Sequence, residues 1–273
     1  MKRNLHAARA LVTGASSGIG RAVAEALARR GVSLVITARR SDALEELAAD
    51  LRKRDGGRVA VVPGDVTAPE TRRALIEMAV RELGGLDFLV NNAGRGATEL
   101  IEMTEEATAR SIMELNFFAP LFLTQEALPE LKKAAADRSR VAARGGVAPT
   151  VVSLGSIVGL RGTPHFGVYG AAKAAVINLS DALRAELSPD GIGVLTVSPG
   201  TTSSEFFDVL WENRSEPNFP KHRAVTPEYV AEKIVAAILA GKHRILPHPE
   251  SKILALIERL CPEWADALMK RFR

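Results

Sequence analysis

The chain has 273 residues, of which 47% are hydrophobic and 25% are charged, as in ordinary globular proteins. No apolar run approaches the roughly 18 residues of a membrane span, and the run after Lys2 and Arg3 is too short for a secretory signal. The net charge of +4 comes from scattered arginines without interleaved aromatic residues, which argues against nucleic-acid binding. The single cysteine, Cys261, excludes an intrachain disulfide, and we expect a soluble, cytoplasmic protein.

Short β-rich runs alternate with helical patterns along most of the chain. Strands are predicted at 9–13, 33–37, 58–62, 87–90, 150–154, 193–197 and 243–246. Helices are predicted near 18–30, 41–54, 68–83, 104–135, 166–187 and 226–240. Most strands are continuous apolar runs, which is typical of a parallel sheet buried on both faces. The alternation predicts an α/β fold, a doubly wound parallel sheet of about seven strands with helices on both faces.

Two stretches depart from this alternation. Residues 132–149 are polar and rich in alanine and arginine, and we predict a helix extension followed by a surface loop. After the last strand the chain continues, so we expect a catalytic domain over 1–250 and an amphipathic helical extension over 251–273. The apolar face of this extension comprises Ile253, Leu256, Ile257, Leu260, Trp264, Leu268, Met269 and Phe272. We expect this face to dock on the chain's own core or on a sister subunit; peripheral contact with a membrane surface is the alternative.

The first strand is followed by a glycine-rich turn and then a helix, in the sequence TGASSGIG. Gly14 permits a tight turn, Gly18 lets the backbone approach a ligand, and Gly20 lets the helix pack close to the sheet. The N–H groups and the positive dipole end of the helix then face a pyrophosphate. The pattern therefore predicts a Rossmann-type dinucleotide site, which also includes three neighbours in the same turn, Ser16, Ser17 and Ile19.

The second predicted strand ends in ITARRSD. An acidic residue near this point binds the ribose hydroxyls of NAD, whereas an arginine accommodates the 2′-phosphate of NADP. Here Ala38 is followed by Arg39 and Arg40, and no carboxylate precedes Asp42. We therefore predict that Arg39 binds NADP(H), with NAD(H) as the alternative, and that Arg40 merely solvates the start of the next helix.

Tyr169 and Lys173 are one turn apart in a predicted helix. Residues four apart share a helix face, with about 5–6 Å between their Cβ atoms. An ammonium beside a phenol favours the phenolate, so we expect Lys173 to lower the pKa of Tyr169 from its ordinary value of about 10. Such a phenol could donate a proton near neutral pH. From these two residues alone, a surface pair without a chemical role is the alternative.

Five motifs in a fixed order resemble those of the short-chain dehydrogenase/reductase family. They are TGASSGIG, NNAG at 91–94, SLGSIVG at 153–159, YGAAK at 169–173 and SPG at 198–200. The resemblance covers about residues 7 to 240. It implies a single-domain oxidoreductase that moves a hydride between NAD(P)(H) and a carbonyl or hydroxyl carbon, commonly as a homodimer or homotetramer.

The resemblance also implies four catalytic residues. Tyr169 is similar to the family's acid/base tyrosine, and Lys173 would lower its pKa and hold the nicotinamide ribose. Ser156, thirteen residues before the tyrosine, would polarise the substrate oxygen, while Gly155 stands where many members have another serine. Asn116 would complete a proton relay through water.

The resemblance assigns the remaining cofactor contacts as well. Asp65 would bond the adenine amino group, with Val66 beside it. The residues flanking the adenine ribose would be Asn92, Ala93 and Gly94, and those near the nicotinamide carboxamide would be Pro199, Gly200, Thr202 and Ser204. No metal site is predicted.

The segment from 201 to 226 occupies the position of the family's substrate lid. It contains Phe206, Phe207, Trp211 and Phe219, which favour an apolar small-molecule carbonyl or alcohol substrate; packing of these aromatics onto the body of the protein is the alternative. His165 and Phe166 are further candidates for the pocket, although a surface-loop role is preferred for His165. The alternative function is a non-catalytic NADP-binding sensor or scaffold with the same fold. Such proteins usually lack the serine, tyrosine or lysine, and all three are present here.

Overall fold

The computed structural model describes residues 3–55, 57–203 and 224–270 of the chain. The predicted lid aromatics and Ser204 lie outside these residues. The described strands are β1 (Arg9–Thr13), β2 (Ser33–Thr37), β3 (Val59–Val61), β4 (Phe88–Asn91), β5 (Thr150–Leu154), β6 (Gly193–Val197) and β7 (Arg244–Ile245). They form one sheet in the order β3-β2-β1-β4-β5-β6-β7, and every neighbouring pair is parallel. The predicted doubly wound sheet is therefore confirmed.

Ten α-helices are described. They are α1 (Gly18–Ala28), α2 (Ser41–Asp55), α3 (Pro69–Met78), α4 (Glu106–Met113), α5 (Ala119–Ala136), α6 (Arg138–Ala143), α7 (Gly167–Leu187), α8 (Pro227–Ala240), α9 (Pro249–Leu260) and α10 (Pro262–Met269). Helix α3 continues into a π-helical turn, Ala79–Leu83, and a second π-helical turn, Glu114–Phe118, joins α4 to α5. The single helix predicted near 104–135 is thus two helices. Pro120 contributes to the wider turn because it has no N–H to donate to the carbonyl four residues earlier.

The strands bury alternate side chains in two cores. On one face, residues such as Val12, Ile36 and Val90 pack with α1, α2 and α8. On the other face, Leu11 and Leu89 pack with α3, α5 and the end of α7. Burial on both faces explains why the strands are apolar runs with no polar alternation. The chain reverses direction across the sheet between β1 and β4, and in such sheets ligands bind at the carboxyl ends of the strands flanking this point.

The stretch 132–149 differs from its prediction. Helix α5 ends at Ala136, and a separate short helix, α6, follows, with Asp137 accepting a hydrogen bond from the backbone N–H of Arg140. Arg144 is buried, and its Nη1 lies 2.7 Å from Oδ1 of Asp87, the residue just before β4. The surface-loop prediction is therefore wrong at this residue, because a buried carboxylate draws the arginine inward.

The C-terminal extension forms two helices that are only partly covered. Of the predicted apolar face, Met269 is buried, Ile257 and Leu268 are partly buried, and Phe272 lies outside the described residues. The other four members of that face are exposed in the single chain, which contradicts docking of the whole face on the chain's own core: Ile253 is 61%, Leu256 57%, Leu260 66% and Trp264 73% accessible. Across the described residues, no helix combines the length and apolar character needed to cross a membrane.

Candidate active site

A cleft of about 550 Å³ lies at the carboxyl ends of the strands. Most of the predicted site residues line it: Gly14, Ser16, Ser17, Gly18, Ile19, Arg39, Asp65, Val66, Asn92, Ala93, Gly94, Ser156, Tyr169, Lys173, Pro199, Gly200 and Thr202. Gly20 and Asn116 support the cleft from behind. Because residues from distant parts of the sequence meet here, the cleft is the candidate active site.

The glycine turn brings the backbone close to the cleft. Gly14 and Gly18 have φ values of 66° and 55°, a region that favours glycine. A Cβ on Gly14 would lie 2.8 Å from Nδ2 of Asn92, and one on Gly20 would collide with the carbonyl of Gly14. The turn therefore leaves no room for side chains at these positions, and α1 begins with its N–H groups toward the cleft.

Asn92 anchors the glycine turn from the neighbouring strand. Its Nδ2 donates to the carbonyls of Thr13 at 2.9 Å and Gly14 at 3.2 Å. The Thr13 hydroxyl in turn accepts from the backbone N–H groups of Asn92 at 3.0 Å and Ala93 at 2.9 Å. These bonds fix β1 to β4 at the point where the cleft opens, so the Asn92 side chain shapes the site.

Two arginines stand at the mouth of the cleft after β2. Arg39 and Arg40 are both exposed and both line the cleft. Nε of Arg40 donates to the hydroxyl of Ser16 at 3.3 Å, so this arginine reaches back to the glycine turn. The prediction that Arg40 only solvates the start of a helix is therefore wrong. Its position next to Arg39 was the sequence signal that it could also lie at the cleft.

Asp65 lies at the same end of the cleft. Its Oδ1 accepts from the backbone N–H of Thr67 at 2.9 Å and from the Thr67 hydroxyl at 2.8 Å. These bonds fix the carboxylate within a local turn. An acidic side chain is thus held in the cleft beyond β3, beside the end of β2, where the backbone N–H of Gly64 donates to the carbonyl of Ala38 at 3.0 Å.

Ser156, Tyr169 and Lys173 meet on the cleft wall next to β5. Ser156 follows β5, and its hydroxyl accepts from the backbone N–H of Val158 at 3.4 Å. The hydroxyl groups of Ser156 and Tyr169 share a hydrogen bond. Nζ of Lys173 lies 5.7 Å from the centre of the Tyr169 ring and donates to the carbonyl of Leu154 at 2.8 Å. The turn after β5 and helix α7 therefore bring two hydroxyl groups and an amine together.

The expected lowering of the Tyr169 pKa is wrong for this arrangement. Burial raises the pKa of Tyr169 well above its ordinary value, and the hydrogen bond with Ser156 only partly opposes this effect. Burial also lowers the pKa of Lys173 to about 8. Loss of water disfavours the charged form of both side chains. The phenol therefore keeps its proton at neutral pH.

Asn116 lies in the π-helical turn between α4 and α5. It is fully buried, and its Nδ2 donates to the carbonyls of Arg95 at 2.8 Å and Ile112 at 2.9 Å. Its Oδ1 has no hydrogen-bond partner among the described residues. A Cβ on Gly94 would lie 2.6 Å from this oxygen and 3.3 Å from Nζ of Lys173. Gly94 thus leaves a small space between Asn116 and Lys173, where the predicted relay requires one.

Several lining residues were missed by sequence reasoning. They include the apolar residues Leu115, Ile157 and Val158 and the polar residues Arg95, Ser111 and Glu114. Phe166 was a pocket candidate, and its ring lies 6.3 Å from that of Tyr169. His165 is not among the lining residues of the described chain. Ile157 and Val158 lie within the SLGSIVG motif beside Ser156, which was the available signal, whereas only the fold brings Leu115 to the cleft.

Comparisons with known proteins agree with this geometry. A family model described as short chain dehydrogenase matches residues 8–215. An "11-beta-hydroxysteroid dehydrogenase-like 3" of Arabidopsis thaliana is 35% identical over 97% of this chain and 83% of its own length. A short-chain dehydrogenase from Sphingobium yanoikuyae, solved with NADPH, is 29% identical, has a TM-score of 0.76 and aligns over 97% of this chain and 96% of its own. A Burkholderia phymatum relative, solved with NAD, is 25% identical, has a TM-score of 0.83 and aligns over 96% of each chain.

Proposed function

The chain belongs to the short-chain dehydrogenase family, and from this premise we propose that it is an NADP(H)-dependent oxidoreductase. It moves a hydride between the nicotinamide and the carbonyl or hydroxyl carbon of an apolar small molecule. The observation that carries this proposal is the hydrogen-bonded pair of Ser156 and Tyr169 beside Lys173, on the wall of the cleft. A dehydrogenase needs such a proton carrier wherever a substrate oxygen gains or loses charge.

The residues of the cleft fit a dinucleotide. The positive φ of Gly18 and the crowded positions of Gly14 and Gly20 leave backbone N–H groups for a pyrophosphate. One N–H of Lys173 donates to the carbonyl of Leu154, and its other N–H groups are available to bind ribose hydroxyls. When bound, the nicotinamide supplies or accepts the hydride.

The chain's own groups then manage the substrate oxygen. In the reducing direction, the hydroxyls of Ser156 and Tyr169 donate hydrogen bonds to the carbonyl oxygen and hold it against the cleft wall. As negative charge grows on that oxygen, Tyr169 transfers its hydroxyl proton to it, and the protonated Lys173 stabilises the resulting phenolate. A well-placed donor to such an oxygen is worth about 3–4 kcal/mol of transition-state stabilisation. In the space beside Gly94, Oδ1 of Asn116 would accept a hydrogen bond from a water molecule. That water would relay a proton toward Lys173.

The two arginines after β2 favour NADP(H) over NAD(H). A guanidinium offers a planar set of donors that matches a phosphate. Arg39 and Arg40 both line the cleft here, and Arg40 is held on the glycine turn through Ser16. Relatives have been solved with either cofactor, so the preference of this chain is our proposal and rests on its own residues.

Changing Arg39 to aspartate should reverse the cofactor preference. The substitution removes a charge-assisted donor and places a carboxylate near the 2′-phosphate, so the ratio of the two dissociation constants should move toward NADH by about 100-fold, or ~3 kcal/mol. Titration of NADPH and NADH into both proteins measures this ratio. Arg73→Asp is the matched control, because this arginine is exposed and lies outside the cleft. A preference of the unmodified protein for NADH would contradict the assignment.

The substrate is proposed to be an apolar ketone or alcohol. Its support is the apolar wall formed by Leu115, Ile157, Val158 and Phe166, together with the names of the hydroxysteroid dehydrogenase-like relatives. Oxidation of NADPH should depend on added ketone, and a panel of aliphatic, aromatic and steroidal ketones should include a bulky apolar compound with the highest kcat/KM. Binding of NADPH without turnover of any ketone or alcohol would instead favour the sensor or scaffold alternative.

A further inference from the structure

The turn after β6 is held from outside the cleft by a histidine that precedes α9. The backbone N–H of Gly200 donates to Nδ1 of His248 at 3.0 Å, and Nε2 of the same ring lies 2.7 Å from the carbonyl oxygen of Thr201. Because Nδ1 accepts a hydrogen bond, the ring proton belongs on Nε2, which donates to Thr201. The buried ring of His248 thus bonds two successive residues of the turn, the N–H of Gly200 and the carbonyl of Thr201.

Gly200 allows a close contact between the turn and the start of α9. A Cβ at this position would lie 3.1 Å from the His248 ring and 3.1 Å from the hydroxyl of Ser251 in the first turn of α9. Ser251 is buried as well. The start of the C-terminal extension is therefore packed directly on the turn, while Gly200 and Thr201 line the cleft on their other side.

The same turn is bonded to the catalytic serine segment. The carbonyl of Pro199 accepts from the backbone N–H of Ile157, the residue after Ser156, at 2.9 Å. A second link to this segment comes from Arg161, whose Nη1 lies 2.9 Å from Glu258 in α9 and whose Nη2 pairs with Asp266 in α10. The C-terminal helices therefore contact both turns that form this side of the cleft.

We propose that His248 is a positioning residue for the nicotinamide end of the cofactor site. It touches neither cofactor nor substrate; it acts by fixing Gly200 and Thr201, and through Pro199 the backbone next to Ser156. This inference rests on the proposed function, because that function places the nicotinamide beside Tyr169 and the adenosine phosphates at the glycine turn.

Binding of a whole and of a half cofactor tests the proposal. We expect His248→Leu to weaken NADPH binding by about tenfold, because a backbone donor and an acceptor lose their partner. Binding of 2′,5′-ADP, which carries only the adenosine phosphates, should change by less than about twofold. His248→Asn should recover part of the loss, since its amide oxygen can accept from Gly200. His243→Leu, the same change at an exposed histidine, should alter neither constant.

Several results would overturn the proposal. Equal losses of affinity for NADPH and 2′,5′-ADP in His248→Leu would indicate general destabilisation. Unchanged NADPH binding in this variant would show that the contacts of His248 with Gly200 and Thr201 do not affect the site. The ring can also be observed in the unmodified protein by nitrogen-15 NMR, where we expect the neutral form with the proton on Nε2; a proton on Nδ1 would contradict the geometry even if a variant failed to fold. Unmodified protein that bound neither ligand would overturn the proposed function itself, a result distinct from the other three.

Discussion

Replacing Tyr169 with phenylalanine should lower kcat for ketone reduction by about 10²–10⁴-fold, the range for a positioned acid–base group. The substitution retains the ring that packs beside Phe166 and removes the hydroxyl that is bonded to Ser156. Since burial keeps the pKa of Tyr169 above its ordinary value, the phenol carries its proton throughout the neutral range, and no other tyrosine lies in the cleft of the described chain. Single-turnover measurements with NADPH and the best ketone isolate the chemical step.

The chain supplies a matched control for this experiment. It has two tyrosines, and the second, Tyr229, lies half-exposed on α8. Tyr229→Phe should leave kcat within about twofold, because Tyr229 lies outside the cleft and, within the described chain, its hydroxyl makes only a long contact, 3.5 Å, with the carbonyl of Pro247. The dissociation constant of NADPH should stay nearly unchanged in Tyr169→Phe. A kcat near that of the unmodified enzyme, on a substrate for which chemistry limits the rate, would rule out Tyr169 as the proton donor.

The fold was accessible from sequence because its signals are local. Most strands are apolar runs, and the crowding at Gly14 and Gly20 favours glycine in that turn. The positions of Tyr169 and Lys173 were likewise accessible, since a four-residue spacing on a helix fixes their proximity. The pKa values of these two residues could not be predicted from the sequence. Burial dominates both, and it depends on packing among elements that are distant in sequence.

Long-range contacts explain the other differences between prediction and structure. His248 has no sequence pattern of its own, and its role appears only where the start of α9 meets the turn after β6. The π-helical turn that places Asn116 requires a wider backbone geometry than helical periodicity indicates. Arg144 looked like one of many surface arginines because its partner, Asp87, belongs to another element.

The stability of the sheet should depend strongly on Asp87. This fully buried carboxylate, at the end of the sheet opposite the cleft, pairs with Arg9 at 2.8 Å and with Arg144 at 2.7 Å. Asp87→Asn preserves the shape but leaves two buried guanidinium groups without their anion, so the free energy of unfolding should fall by about 3–5 kcal/mol. Asp190→Asn, which breaks the exposed pair with Lys132 at 2.8 Å, should cost less than about 1 kcal/mol.

The pH dependence of stability gives this prediction a second measurement. Burial by itself would raise the pKa of Asp87, but the hydrogen bonds and charges of Arg9 and Arg144 outweigh it and hold the pKa below its ordinary value of 3.8. A lowered carboxyl pKa stabilises the fold fully above the unfolded-state value, and this stabilisation is lost as the pH falls through the folded-state value. Chemical denaturation between pH 7 and pH 3 should therefore show a decline below about pH 4 that is shallower in Asp87→Asn. If both proteins lose stability equally over this range, or if the two asparagine variants are equally stable at pH 7, then the buried cluster does not hold the sheet as its geometry indicates.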